Sequence, residues 1–193
     1  MDSAHEFDQE KIREGVKMIL EGVGEDPGRE GLINTPDRVA RMYEELFSGM
    51  SESSSEVLDT VFHEDYDEVV LLRDIEFNSV CEHHLMPFTG IAHVAYLPDG
   101  KIVGLSKLAR AVEHFAKRPQ VQERLTAQIA DLISKTLEPK GVAVVLEATH
   151  TCMTMRGVKK PGSVMTTSAM RGLIRENLAT RNEVLGLIFG RVK

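Results

Sequence analysis

The chain reads as an α+β protein: an antiparallel sheet with helices packed on one face, preceded by a helical N-terminal region. Three observations predict this. Apolar residues recur at helical spacing through positions 1–50. From Glu68 the apolar period drops to two. Two further helical stretches then separate one group of strands from the next.

In FDQEKIREGVKMILEGVGEDPG, Ile12, Val16, Ile19, Leu20 and Val23 share one helical stripe, which Gly24 and the EDPG stretch end. NTPDRVARMYEELF is a second helix, with Thr35 suited to the N-cap and Pro36 to the first helical position. Its apolar face is Val39, Met42, Leu46 and Phe47, and the serine-rich SGMSESSSEV that follows is a loop. EVVLLRDIEFNSV is a long strand, and IAHVAYLPDGKIVGLS a hairpin turning at Asp99-Gly100. Ser106 is placed to cap a helix over SKLARAVEHFAKR, with Leu108, Val112 and Phe115 inward. Pro119 opens another helix, which carries Val121, Leu125, Ile129, Leu132 and Leu137 on one side until Pro139 and Gly141 end it. VAVVLEATHTCM and VMTTSAMRG are strands, and Thr180 with Glu183 makes a capping box for a last helix.

A chain of 193 residues fits one domain, 1–193, with a core that needs no disulfide. The helical front end takes 1–50 and the sheet-bearing part 67–193. MDSAHEFDQEK is acidic and polar, unlike a signal or transit peptide, and runs such as VAVVLEA are too short to span a bilayer. A cytoplasmic location and no membrane partner are therefore expected. The net charge of −7 argues against a nucleic-acid partner, which would want a basic face. It leaves room for an anionic small molecule held by local cations. The only cysteines, Cys81 and Cys152, are expected to be thiols in such a compartment.

Both cysteines have histidine neighbours. SVCEHHLMPFTG places Cys81, Glu82, His83 and His84 together, and Cys81-x-x-His84 is a spacing from which one loop can offer zinc two ligands. In ATHTCM, His150 and Cys152 are two apart in a stretch that reads as strand, so alternation puts both on one face. The candidate ligands are Cys81, His83, His84, His150 and Cys152, and sulfur and nitrogen donors suit zinc. Four protein ligands would make a structural site; three and a water would make a catalytic one. The surplus histidines favour catalysis, since an imidazole beside the metal is a ready acid or base. His5, His63, His93 and His114, in a tail, an acidic loop, a strand and a helix, are given no role.

Several cations have company that suits an anion. Lys107 and Arg110 share a helix face near an N-terminus, where unpaired N–H groups and the helix dipole favour negative charge. Arg156 follows Cys152 closely, and Arg38 and Arg41 share a face of the second helix. Gln122 and Glu123 open the long helix after Pro119, and a carboxylate there could accept two hydrogen bonds from a guanine-like edge. The chain contains neither a Walker A sequence nor G-x-G-x-x-G.

With these residues assembled, the sequence closely resembles GTP cyclohydrolase I. The likeness is carried by TPDRVARM, SVCEHHLMPFTG, VGLSKLAR, RPQVQERLT, ATHTCMTMRGV and TTSAMRG, spread from Thr35 to Gly172 with no departure at a motif position. The resemblance implies the tunnelling fold (T-fold), in which subunits' sheets join into a barrel, and a homodecamer with active sites at subunit interfaces. It implies conversion of GTP and water to 7,8-dihydroneopterin triphosphate and formate, the committed step toward folate or biopterin.

By the same resemblance, one zinc per subunit is held by Cys81, His84 and Cys152, with water in the fourth position activated for attack on C8 of guanine. His150 matches the family's proton donor, and His83 the second catalytic histidine. Glu123 matches the residue that reads the guanine edge, with Gln122 beside it. Ser106 matches a ribose and phosphate contact. Lys107, Arg110 and Arg156 match the triphosphate cradle, with Arg38 and Arg41 expected from a neighbouring subunit. A nitrile reductase of the same fold group would have no need of two cysteines flanked by three histidines. A zinc deaminase would need H-x-E with P-C-x-x-C, which neither cysteine provides. The alternative of another class is a non-catalytic zinc-binding oligomeric scaffold that binds a purine nucleotide.

Overall fold

The computed structural model describes residues 7–51 and 53–190; His5 lies outside the described residues. Helices α1 (Gln9–Gly22) and α2 (Thr35–Leu46) pack on each other, joined by an Arg13–Asp37 ion pair at 2.6 Å. Asp8 caps α1 by accepting from the Lys11 N–H. Two short 3-10 turns, Ser48–Met50 and Ser54–Glu56, lie in the serine-rich loop.

The strands are β1 (Val61–His63), β2 (Val70–Cys81), β3 (Pro87–Leu97), β4 (Lys101–Val103), β5 (Pro119–Gln120), β6 (Gly141–His150) and β7 (Met165–Gly172). Five form the main sheet in the order β5-β2-β3-β6-β7, antiparallel except for the two-residue contact of β5 with β2. Helices α3 (Leu105–Ala116) and α4 (Gln122–Leu137) cover one face, enclosing Phe77, Phe88, Val94, Tyr96, Val144 and Leu146. Alternation sends Ala95, Ala143 and Val145 to the opposite face. There the C-terminal α6 (Leu173–Glu176) and α7 (Leu178–Phe189) add a smaller core with Ile174, Val184 and Ile188.

Several local expectations are corrected. Asp99-Gly100 does turn, with Gly100 at φ +77°, but β3 and β4 do not pair. Tyr96 already faces Val70 on one side and Val142 on the other, so both edges of β3 are occupied and β4 pairs with β1 instead. His63 accordingly sits in β1 rather than in a loop. Pro119 belongs to β5, and α4 starts at Gln122 after Val121. The caps also shift by a few residues. Thr35 is the first residue of α2 behind Asn34, and Pro36 lies in the first turn. Ser106 lies inside the first turn of α3, behind Gly104. The last helix is capped by Asn177, which accepts from the Thr180 N–H, rather than by Thr180.

The strand expected to run through Cys152 stops at His150, whose ladder partner is Phe88. The next partner would be Pro87, which has no N–H to continue the ladder. The Thr151 hydroxyl instead donates to the Pro87 carbonyl at 2.5 Å, and the chain turns into α5 (Thr151–Thr154). Cys152 is therefore on a helical turn.

Candidate active site

The site forms where β2 and β6 end. The Cys81 N–H donates to the Met86 carbonyl at 2.8 Å, and the Leu85 N–H returns to the Cys81 carbonyl at 2.9 Å. These bonds close a tight loop in which Leu85 takes φ +51°. The Glu82 N–H donates to the Gln120 carbonyl, and Arg124 of α4 grips both Glu82 carboxylate oxygens at 2.5 and 3.0 Å. The Arg124 guanidinium holds the Glu82 carboxyl below its usual range.

So braced, the loop brings His84 Nδ1 to 3.8 Å from Cys81 Sγ. The α5 turn adds Cys152, and the three donor atoms all lie within 4.8 Å of one another. A tetrahedral zinc with bonds of about 2.3 Å to sulfur and about 2.0 Å to nitrogen sets neighbouring donors roughly 3.6 Å apart, so the donor set and its spacing fit that ion. Burial, and then the neighbouring Cys81, push the Cys152 thiol up. A dication between two thiolates removes that repulsion.

His150 stands at the end of β6, half-buried. Its ring stacks on Phe88 at 4.5 Å and 8°, and its Nε2 lies 2.8 Å from Gln122 Oε1. Burial pushes its pKa down, opposed by the charge of Glu123. His83 is 64% exposed on the same loop, with Nε2 3.8 Å from Glu82 Oε1.

Of the other expected residues, Glu123 is exposed at the start of α4. It lines a cleft of about 650 Å³ with Thr126, Thr167, Arg171, Arg175 and Arg181. Gln122 is only 1% exposed, its amide turned inward. Ser106, Lys107 and Arg110 occupy the first turns of α3, where Lys107 pairs with Asp59. Arg156 is exposed just after α5, and Arg38 and Arg41 are exposed on α2. The structure thus gathers Cys81, His84, Cys152, His150 and Gln122, while the α3 and α2 cations lie on separate elements. Sequence reasoning missed Phe88, Arg124, Thr126 and Thr167. For Thr126 a signal existed, since it follows Gln122 by one turn of the same helix.

Two thiols and an imidazole converging at two strand ends, with a second imidazole alongside, define an α+β protein with a group that could hold a metal. Comparison narrows the class. The family model described as GTP cyclohydrolase I matches residues 12–189. A protein of Pelotomaculum thermopropionicum named GTP cyclohydrolase 1 is 62% identical over 186 residues, covering 96% of this chain and 99% of that one. Those of Carboxydothermus hydrogenoformans and Bacillus subtilis, with the same name, are 63% and 59% identical, covering 94% and 93% of this chain and 95% of each relative. The chain belongs to the GTP cyclohydrolase I family, and its α+β architecture is consistent with the tunnelling fold. No helix among the described residues is long and apolar enough to cross a membrane.

Proposed function

We propose that the chain converts GTP and water to 7,8-dihydroneopterin 3'-triphosphate and formate as a zinc-dependent cytoplasmic hydrolase. The observation that carries this reading is the Cys81–His84–Cys152 triplet beside the hydrogen-bonded His150, in a chain of this family. Cys81, His84 and Cys152 would hold the zinc, which when bound supplies a Lewis acid that brings the pKa of water near neutrality. His150, once it has taken up a second proton to become imidazolium, delivers that proton to N7 of guanine as C8 is attacked, and its half-buried, stacked ring supports that role. His83, exposed beside Glu82, moves protons in ring opening and in the ribose rearrangement. Glu123 accepts from the guanine N–H and amino edge, with Gln122 beneath it. Ser106 contacts the ribose and phosphate side; Lys107, Arg110 and Arg156 hold the triphosphate, with Arg38 and Arg41 reaching in from a neighbour.

A shared site in a homodecamer follows from the same reading. Ser79 Oγ donates to the Ala116 carbonyl at 2.7 Å, so the C-terminal end of α3 lies beside the metal end of β2. Ser106 stands ten residues back along that helix, about 15 Å away at 1.5 Å per residue. A cradle at the far end of α3 supports a site completed by a second copy. The outer edge of β7, without a strand partner among the described residues, supports joined sheets. Exposed Met18 and Ile19 on α1, with Val23 at its C-cap, support helix packing between copies.

The test is to incubate zinc-loaded protein with GTP and follow formate and the pterin together. Both products are expected, and both should vanish in His150→Ala with zinc retained. Zinc-loaded protein that releases neither product would leave the non-catalytic nucleotide-binding scaffold as the better reading.

A further inference from the structure

Gln122 was expected to face substrate, yet every polar atom of its side chain is engaged inside the protein. Its Nε2 lies 3.1 Å from the Leu146 carbonyl, 2.9 Å from the Met165 carbonyl and 3.1 Å from Thr167 Oγ1. Carbonyl oxygens only accept, so the nitrogen must be at this position; an amide oxygen here would meet two carbonyls with no proton between them. Oε1 therefore faces His150 Nε2 at 2.8 Å, and an amide oxygen only accepts. The proton in that bond belongs to the ring.

The two threonines hold this arrangement in place. Thr126 Oγ1 is 2.6 Å from the Gln122 main-chain carbonyl, a separation that requires the Thr126 proton between them. Thr126 Oγ1 is also 2.7 Å from Thr167 Oγ1, so that proton must come from Thr167. Thr167, having donated, accepts from Gln122 Nε2. Each hydroxyl proton has one consistent place, the two amide protons are shared among three acceptors, and the chain links α4, β6 and β7 to the ring. Phe88 stacked on one ring face restrains its tilt, while the Gln122 bond restrains its rotation.

We propose that Gln122, Thr126 and Thr167 form a hydrogen-bonded relay that orients His150 and keeps a proton on Nε2, so that any proton the ring exchanges passes through Nδ1. The three are positioning residues, acting through His150 rather than on substrate. The consequence for catalysis rests on the role given to His150 above; the placement of the ring proton does not.

The test uses zinc-loaded protein labelled with ¹⁵N-histidine and observed by solid-state NMR. The chain has seven histidines, so His150 is assigned by difference with His150→Ala. Wild-type His150 should show a protonated Nε2 and an unprotonated Nδ1. In Gln122→Met, which removes the acceptor of the ring proton, this signature should give way to a mixture of tautomers, with kcat for GTP down on the order of 10²-fold and KM and zinc content unchanged. A wild-type ring protonated on Nδ1 alone overturns the relay, as does a Gln122→Met enzyme with the wild-type ring signature and kcat. Wild-type protein that makes no product would instead sink the functional reading, while the ring signature still decides the relay.

Discussion

Gly90→Ala tests how the sheet positions the site. A methyl group at Gly90 would stand 2.2 Å from the Glu147 carbonyl oxygen, 2.7 Å from Ala148 Cβ and 2.8 Å from Ala148 Cα. Atoms in comfortable contact are about 3.5 Å apart, so β3 and β6 would have to part by about 1 Å. These neighbours are backbone or a short side chain, and none can swing aside. Alanine gains roughly 0.4–1 kcal/mol by restricting the unfolded chain. Overpacking costs about 1–3 kcal/mol and sometimes more, and contacts this short belong at the upper end. Overpacking wins, and the variant should be about 2 kcal/mol less stable. The displacement also reaches the chemistry, because Gly90 pairs with Ala148 and, two residues along, Phe88 pairs with His150. A misplacement of about 1 Å can cost on the order of 10²-fold in rate. Thermal unfolding and GTP turnover, each at matched zinc content, check the two effects. Wild-type melting and turnover in Gly90→Ala would refute the reasoning.

Three more outcomes follow from local geometry. The folded-state pKa of Glu82 lies below its unfolded value, so its ion pair contributes fully above the usual carboxylate range and is lost as pH falls through the folded value. Arg124→Ala should raise that folded pKa toward the usual value of about 4.3, read from the Glu82 carboxyl ¹³C shift against pH. Asn177→Ala removes the acceptor for the Thr180 N–H and should cost about 1 kcal/mol in denaturant unfolding, most of it restored by Asn177→Ser. Cys152→Ser should lower bound zinc well below one ion per chain by elemental analysis while far-ultraviolet circular dichroism stays unchanged.

The long elements were legible because their periods are local. Leu125, Ile129 and Leu137 mark α4, and the short unbroken apolar run Val142–Leu146, rich in valine, marks a buried strand whatever its partners. Pairing was not local. The turn at Asp99-Gly100 was visible, but β2 and β6 occupy both edges of β3, which only the assembled sheet reveals. The metal neighbourhood was legible because thiols beside histidines are uncommon and chemically directed; the choice of Cys81, His84 and Cys152 among five candidates came from the family resemblance, and the structure gathers those three. The reason first given for Cys152 was incorrect, since a helical turn after His150 presents it. Gln122 illustrates the remaining gap. Its polar type beside Glu123 suggested a pocket, but the direction of its amide depends on carbonyls of β6 and β7 far along the chain.

The most direct test of the central claim is X-ray absorption at the zinc edge of the loaded protein, before and after GTP. An open catalytic site predicts two sulfurs at about 2.3 Å, one imidazole, and a single further light ligand that GTP perturbs. Two imidazoles with two sulfurs, unchanged by GTP, would mean that His83 or His150 closes the coordination sphere, contradicting a catalytic metal at Cys81, His84 and Cys152.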